Sequence, residues 1–211
     1  MQSGDRRPIA ARELGVTQKT AAWLVARGAS ADGISLAGMG AGIIAGLALA
    51  GTAWWPGAAR PLWLAGALFV QLRLLANLLD GMVAIGRGIA SPAGELFNEV
   101  PDRVSDTAVF IGLGVACGNV ALGLAAALAA MATAYVRAVG KAAGAPSDFR
   151  GPMAKQHRMA LVTGLAVICA ILPFAWTAAL PMIALWAITL GSLYTTWRRL
   201  SGAWVFLKAR R

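Results

Sequence analysis

The residues whose types and spacing could do chemistry lie in one stretch of the chain, between positions 77 and 106. The stretch holds more than half of the nine acidic residues of a sequence that is 58% apolar. They are Asp80, Glu95, Glu99, Asp102 and Asp106. Polar side chains recur at the spacing of one helical face before a Gly/Ser/Pro-rich hinge at 86–94, and acidic ones do so after it. Carboxylates in an apolar setting are costly unless a cation binds them, and converging oxygen ligands are typical of a Mg²⁺ or Mn²⁺ site.

A second interpretation of the same stretch needs no metal. Carboxylates near the end of a membrane span can be solvated, or they can pair with nearby arginines, of which the sequence offers Arg73, Arg87 and Arg103. Spacing alone leaves both interpretations open.

The composition predicts a membrane protein with several spans. Only 13% of the 211 residues are charged and the mean hydropathy is +0.66, which leaves no room for a second globular domain. The net charge of +10 favours contact with anionic lipid headgroups, and no motif suggests nucleic acid as a partner. Cys117 and Cys169 lie in apolar runs without metal or redox spacing, so we expect them to be buried. The charged first thirty residues do not have the pattern of a signal peptide.

The elements that must position the acidic stretch are six predicted spans, each about as long as a bilayer is thick. Their ranges are 34–55, 61–84, 93–116, 119–139, 159–177 and 180–197. The fold class is therefore all-α, a polytopic membrane protein. Before the spans, residues 8–27 predict an amphipathic helix on the membrane surface, with a disordered basic tail as the alternative. The expected division is a cytoplasmic segment at 1–33, the transmembrane domain at 34–199 and a basic tail at 200–211.

The basic residues predict the orientation of these spans. Most of the lysines and arginines precede the first span, follow the last one, or lie in the loop between the fourth and fifth spans. The positive-inside rule then places both termini and the hinge in the cytoplasm, so the acidic stretch would lie at the cytoplasmic surface. The expected location is the inner membrane of a bacterium.

The loop between the fourth and fifth spans carries a second polar cluster. Arg137 and Lys141 end the fourth span, and Arg150, Lys155 and Arg158 follow. Several cations above a metal site suit a phosphate or diphosphate substrate. The alternative is a loop whose charge only sets the topology; for Lys155 and Arg158 the two interpretations are balanced.

Residues 77–102 resemble the signature of the CDP-alcohol phosphotransferase family. That signature reads Asp-x-x-Asp-Gly-x-x-Ala-Arg, eight residues, Gly, three residues, Asp, three residues, Asp. The positions that match in register are Asp80, Gly81, Ala84, Gly94 and Asp102. The runs at 33–36 and 134–137 are also similar to the family. The sequence departs from the signature at Asn77, Ile85 and Asn98.

The resemblance implies a role for each matching position. Asp102 would be the general base or a metal ligand. The metal site for Mg²⁺ or Mn²⁺ would use Asn77, Asp80, Asn98, Glu99 and Asp102. The CDP group would contact Asp80, Gly81, Ala84 and Gly94. The acceptor or its phosphate would contact Arg137, Lys141 and Arg150.

The resemblance also implies an activity, a transfer of a phosphatidyl group from CDP-diacylglycerol to an alcohol with release of CMP, in phospholipid biosynthesis. Membrane lipids and a second copy of the chain would be its other partners. Because two acidic positions are asparagine, three variants stay open: a one-metal site, a two-metal site rearranged around Glu99, and a non-catalytic relative that binds lipid or nucleotide. A small transporter is less favoured, since the polar cluster lies at one membrane face.

Overall fold

The structure is a computed structural model that describes residues 13–88 and 92–210, except for the side chains of Pro92, Ala93, Glu95 and Asn98. All of its long elements are helices. Their bounds are α1 Gly15–Ala26, α2 Ala31–Trp54, α3 Ala59–Gly86, α4 Pro92–Ala116, α5 Val120–Ala142, α6 Lys155–Ile171, α7 Phe174–Thr177 and α8 Leu180–Lys208. A short 3₁₀ turn, Pro56–Ala58, precedes α3. The predicted all-α class is confirmed.

Four segments of the described chain are long and apolar enough to cross a membrane. They are α2, α3 with its preceding turn, α5, and the segment Phe174–Lys208 that contains α8. The chain is thus an integral membrane protein. Neither α4 nor α6 is among these segments, so the layout with six spans stays a prediction.

The fifth predicted span is wrong in its extent. Residues 159–177 do not form one helix, because α6 ends at Ile171 and Leu172 is extended, with φ −84° and ψ 156°. Pro173 follows, and a proline both lacks a backbone N–H and disfavours helical conformation in the residue before it. The last helix differs in the other direction, since α8 runs without a break to Lys208 rather than ending near 197.

The N-terminal helix is described only from Gly15, and the start predicted at residue 8 lies outside the described residues. Thr17 and Ala21 are its buried side chains, whereas Val16 and Trp23 are exposed. The C-terminal end of α1 packs on α3, where a Cβ added at Gly86 would meet Val25. The amphipathic surface role of α1 stays a prediction.

Glycines hold α4 in a tight crossing with the helices on either side. A Cβ added at Gly112 would lie 2.1 Å from the carbonyl oxygen of Gly46 on α2, and one at Gly123 on α5 would lie 2.5 Å from that of Phe110. Such contacts leave room only for a hydrogen, so the helix backbones touch. The apolar core lies around this crossing and includes Leu49, Val109, Phe110, Leu113 and Val162. The crossing fixes the depth and rotation of α4, which carries the acidic face.

Candidate functional site

Asp102 is the centre of the site. It lies on the buried face of α4, 6% exposed, and faces Asn77 on α3, whose Nδ2 donates a hydrogen bond to Asp102 Oδ1 at 2.8 Å. Lys155, the first residue of α6, places its Nζ 2.5 Å from both carboxylate oxygens of Asp102. The two halves of the signature therefore meet through side chains that α3 and α4 direct towards each other, as the helical spacing predicted.

Two arginines complete the surroundings of Asp102. Arg73 Nη2 lies 3.4 Å from Asp102 Oδ1 and donates to the backbone carbonyl of the same residue at 3.2 Å. Arg103 Nη2 lies 3.6 Å from the other carboxylate oxygen. Three cations and one amide thus surround one carboxylate.

One turn further along α4, Asp106 lies in a fully buried ionic cluster. Its Oδ1 accepts from Arg73 Nη2 at 2.6 Å and its Oδ2 from Arg158 Nη2 at 3.0 Å. Arg158 also donates to the carbonyl of Met153 at 2.5 Å. Since both arginine side chains are 1% exposed, this cluster ties α3, α4 and α6 together beneath Asp102.

Asp80 has a different environment. It is 4% exposed, and its two oxygens accept from neutral donors, Ser35 Oγ at 2.6 Å and the backbone N–H of Gly81 at 2.5 Å. In the part of the chain that the structure describes, no cation pairs directly with Asp80. The charges of Lys155 and Asp102 are nevertheless close enough to act on it through space.

Glu99 has different partners from Asp80 and Asp106. Its carboxylate pairs with Arg137 from α5 and, at 3.9 Å, with Arg103. Arg137 also stacks over the ring of Phe149, with 5.0 Å from the guanidinium carbon to the ring centroid. The structure thus brings Arg137 to the acidic face of α4, and its predicted contact with the acceptor stays a prediction.

The other two predicted cations lie further out. Lys141 is exposed near the end of α5. Arg150 is exposed in the α5–α6 loop and pairs with Asp148 at 3.1 Å. Burial raises the pKa of the Asp148 carboxyl, but hydrogen bonds from Arg150 outweigh burial, so that this pKa lies below its usual value of 3.8.

A cavity of about 440 Å³ lies where this loop meets α5 and α8. Its charged lining comes from the cations Arg137, Arg150 and Arg199 and from Asp148. The side chain of Arg199 is held in place, because it donates to the carbonyl oxygens of Arg150 at 3.0 Å and Thr133 at 2.9 Å. The cavity therefore adjoins the acidic face of α4 through Arg137.

The positions predicted to contact the CDP group lie near the Asp80 end of the site. Gly81 and Ala84 are half-buried on α3, and Gly94 is half-buried near the start of α4. The side chains of Asn98 and Glu95 lie outside the described residues.

The described residues do not fit a site for two divalent ions. No three of their Asp, Glu, His or Cys side chains converge as a metal-binding group. Asp102 already faces Lys155, Arg73 and Arg103. Asp80 is the better ligand, since each of its oxygens accepts one neutral donor and a carboxylate has acceptor capacity for more.

Sequence reasoning missed Ser35 and left Lys155 and Arg158 undecided. A signal for Ser35 was present, because it lies in the run at 33–36 that resembles the family. For Lys155 and Arg158, the sequence could not distinguish a charge that only sets the topology from a residue that contacts the substrate. Their distances to Asp102 and Asp106 depend on how α6 packs, which spacing along the chain does not encode.

No family model matches the chain. A phosphatidylinositol phosphate synthase of Mycobacterium marinum is 32% identical over 149 residues, which is 66% of this chain and 62% of that protein, slightly under two thirds of its length. One of Streptomyces avermitilis is 29% identical over 188 residues, 85% of this chain and 74% of that protein. The crystal structure of the Mycobacterium tuberculosis phosphatidylinositol phosphate synthase with CDP-DAG bound is similar over 90% of this chain and 94% of that one, at 26% identity and a TM-score of 0.75. These relatives and this structure support the CDP-alcohol phosphotransferase family that the signature resembles.

The resemblance carried by the signature is thereby confirmed. A second structure of the Mycobacterium tuberculosis enzyme, in complex with manganese and citrate, matches 89% of this chain with a TM-score of 0.73 and 27% identity. The similarity gives the acidic stretch a family context, whereas the roles of its individual residues stay predictions.

Proposed function

We propose that the protein transfers a phosphatidyl group from CDP-diacylglycerol to a hydroxyl of an inositol phosphate and releases CMP, as a step of phospholipid biosynthesis. The observation that carries the proposal is the meeting of Asn77 with Asp102, near Asp80, across α3 and α4. Support comes from relatives named for phosphatidylinositol phosphate synthesis and from the similar structure solved with CDP-DAG.

In the proposed reaction a hydroxyl oxygen of the acceptor attacks the lipid-side phosphorus of the diphosphate. The bond from that phosphorus to the bridging oxygen breaks, and CMP leaves with the electron pair. Asp102 accepts the hydroxyl proton, which requires it to come within hydrogen-bond distance of that group. A bound Mg²⁺ or Mn²⁺ would neutralise charge on the diphosphate. Asp80 is the residue best able to hold such an ion.

The remaining proposed contacts follow the distribution of small and basic side chains. Gly81, Ala84 and Gly94 leave space for the nucleotide beside Asp80. An inositol phosphate would use the cavity at the α5–α6 loop, where Arg137, Arg150 and Arg199 offer donors suited to a phosphate. Lys141 adds charge at the rim.

We also propose the six-span layout, with α4 and α6 crossing the bilayer among the four apolar segments. Both termini and the site would be cytoplasmic, in a bacterial inner membrane, since the basic residues gather on that side. The division into 1–33, 34–199 and 200–211 follows from this layout, although α8 continues through most of the last segment. Membrane lipids would contact the exposed apolar side chains of α8, and a homodimer is proposed from the family alone.

The test is a panel of acceptors given to the purified protein in lipid nanodiscs with CDP-diacylglycerol and Mn²⁺. We expect CMP release with inositol phosphate and much less with inositol, glycerol phosphate or serine. Arg137→Gln should raise KM for inositol phosphate more than KM for CDP-diacylglycerol, whereas the control Lys208→Gln should change neither. The acceptor assignment fails if another alcohol is preferred, and the transferase assignment fails if no acceptor supports CMP release.

A non-catalytic membrane protein that binds CDP-lipid is the second candidate. It is favoured by Asn77 and Asn98, which replace two acidic positions of the signature. It predicts that CDP-diacylglycerol raises the thermal stability of the protein while no CMP is formed with any acceptor. CMP formation at a rate that depends on Asp102 would rule it out.

A further inference from the structure

Lys155 holds the position at which a cation would neutralise Asp102. Its Nζ contacts both carboxylate oxygens at 2.5 Å, and the lysine side chain is 21% exposed while that of Asp102 is 9% exposed. A partly buried pair with both oxygens engaged is far less screened than a surface pair. The ammonium group therefore supplies at Asp102 the positive charge that a metal ion would supply.

Asn77 fits the same arrangement. A carboxylate only accepts hydrogen bonds, so the atom of Asn77 that lies 2.8 Å from Asp102 Oδ1 must be the amide nitrogen. A carboxylate at position 77 would bring two negative oxygens to that separation and would need a further cation between them. With asparagine there, no further cation is needed, because Lys155 contacts both oxygens of Asp102 and Arg73 and Arg103 lie at 3.4 Å and 3.6 Å.

The charge balance of the stretch points the same way. Asparagine at positions 77 and 98 removes two negative charges relative to the family signature, and hard divalent ions bind more weakly when the ligand charge falls. Asp80 remains with neutral partners only, Ser35 and the N–H of Gly81. One ligand position for a divalent ion is thus retained and the other is filled by the lysine.

We propose that Lys155, together with Asn77, replaces one divalent ion at Asp102, so that the site binds a single Mg²⁺ or Mn²⁺, at Asp80. Lys155 is then a positioning residue that holds the Asp102 carboxylate without a metal. The inference rests on the proposed function in that both concern the same site, but the number of bound ions is measured without turnover.

The experiment counts Mn²⁺ bound to the full chain in nanodiscs that contain CDP-diacylglycerol, by equilibrium dialysis and by electron paramagnetic resonance. We expect one Mn²⁺ per wild-type chain, with the spectrum of an isolated ion. Asn77→Asp combined with Lys155→Met should bind two, with the spin coupling expected of ions about 4 Å apart. Lys155→Arg keeps the charge and should bind one. The matched control Lys208→Met, on an exposed lysine at the end of α8, should also bind one.

Wild-type protein that binds two ions, or none, overturns the inference, and so does a folded double variant that still binds one. The folding of the double variant is checked by size-exclusion chromatography and circular dichroism. If it does not fold, the number of Mn²⁺ ions bound per wild-type chain alone tests the inference. CMP release measured on the same samples tests the proposed function separately. Two ions with CMP release would refute only the role of Lys155, and one ion without CMP release would refute only the transferase.

Discussion

Replacing Asp106 by asparagine should destabilise the protein severely, because this carboxylate is the shared partner of two buried arginines. Asp106 is 2% exposed, and its oxygens lie 2.6 Å from Arg73 Nη2 and 3.0 Å from Arg158 Nη2. Three further nitrogens of these two arginines have no hydrogen-bond partner in the described part of the protein. The asparagine would leave two buried guanidinium charges facing a neutral amide.

Removing one partner of a buried ion pair costs about 3–5 kcal/mol. Arg73 keeps a weaker contact with Asp102 at 3.4 Å, so we expect a loss near the lower end, about 3 kcal/mol, in the free energy of unfolding. The assay is equilibrium unfolding in mixed detergent micelles, followed by circular dichroism. Asp148→Asn is the matched control, since Asp148 pairs with the exposed Arg150 and its loss should cost at most about 1 kcal/mol. Equal losses for the two variants would refute the assignment of Asp106 as the carboxylate that stabilises the two buried arginines.

Three further predictions concern the base, the helix crossing and the loop. Asp102→Asn should lower the rate of CMP release by at least about 10²-fold, because the hydroxyl proton loses its acceptor, while protein-bound CDP-diacylglycerol remains detectable. Gly112→Ala should destabilise the protein by about 1–3 kcal/mol, because its Cβ would lie 2.1 Å from the Gly46 carbonyl oxygen. Gly40→Ala, with nothing within 4 Å of the new Cβ, should not lower stability in the same unfolding assay. Since the pKa of Asp148 is held below its usual 3.8, its pairing with Arg150 should stabilise the fold above that pH and lose its effect as the pH falls below it. Comparison of wild type with Asp148→Asn across that range checks the sign, and a wild type that gains stability relative to the variant on acidification would contradict it.

The helices that carry the site could be predicted because their cause is local. Apolar length predicted α3, and the spacing of Asn77 and Asp80 on one side and of Asp102 and Asp106 on the other predicted which faces meet. The sequence analysis missed the break after Ile171 although Pro173 indicates it. The span was assigned from the length of the apolar run, and a single proline does not shorten that run. The metal-free interpretation named Arg73, Arg87 and Arg103 as possible partners of the carboxylates. Arg73 and Arg103 do contact Asp102, whereas Arg87 donates to the backbone carbonyl of Ala29.

The partners from α6 could not be predicted in the same way. Lys155 and Arg158 follow a loop of about a dozen residues, and their contacts with Asp102 and Asp106 exist only once α6 has packed against α3. The contact that Asn77 makes was also not predictable from the sequence. In the sequence it is a lost carboxylate, whereas in the fold it is the hydrogen-bond donor that Asp102 requires beside a lysine.

A single-turnover experiment tests the transferase directly. Protein in excess over CDP-diacylglycerol labelled in its acyl chains is mixed with inositol phosphate and Mn²⁺, and both CMP and labelled lipid products are quantified. The proposed chemistry predicts equal amounts of CMP and of a phosphatidylinositol phosphate, with neither formed by Asp102→Asn. Bound CDP-diacylglycerol that stays intact, or CMP that appears with phosphatidic acid regardless of the acceptor, would contradict it.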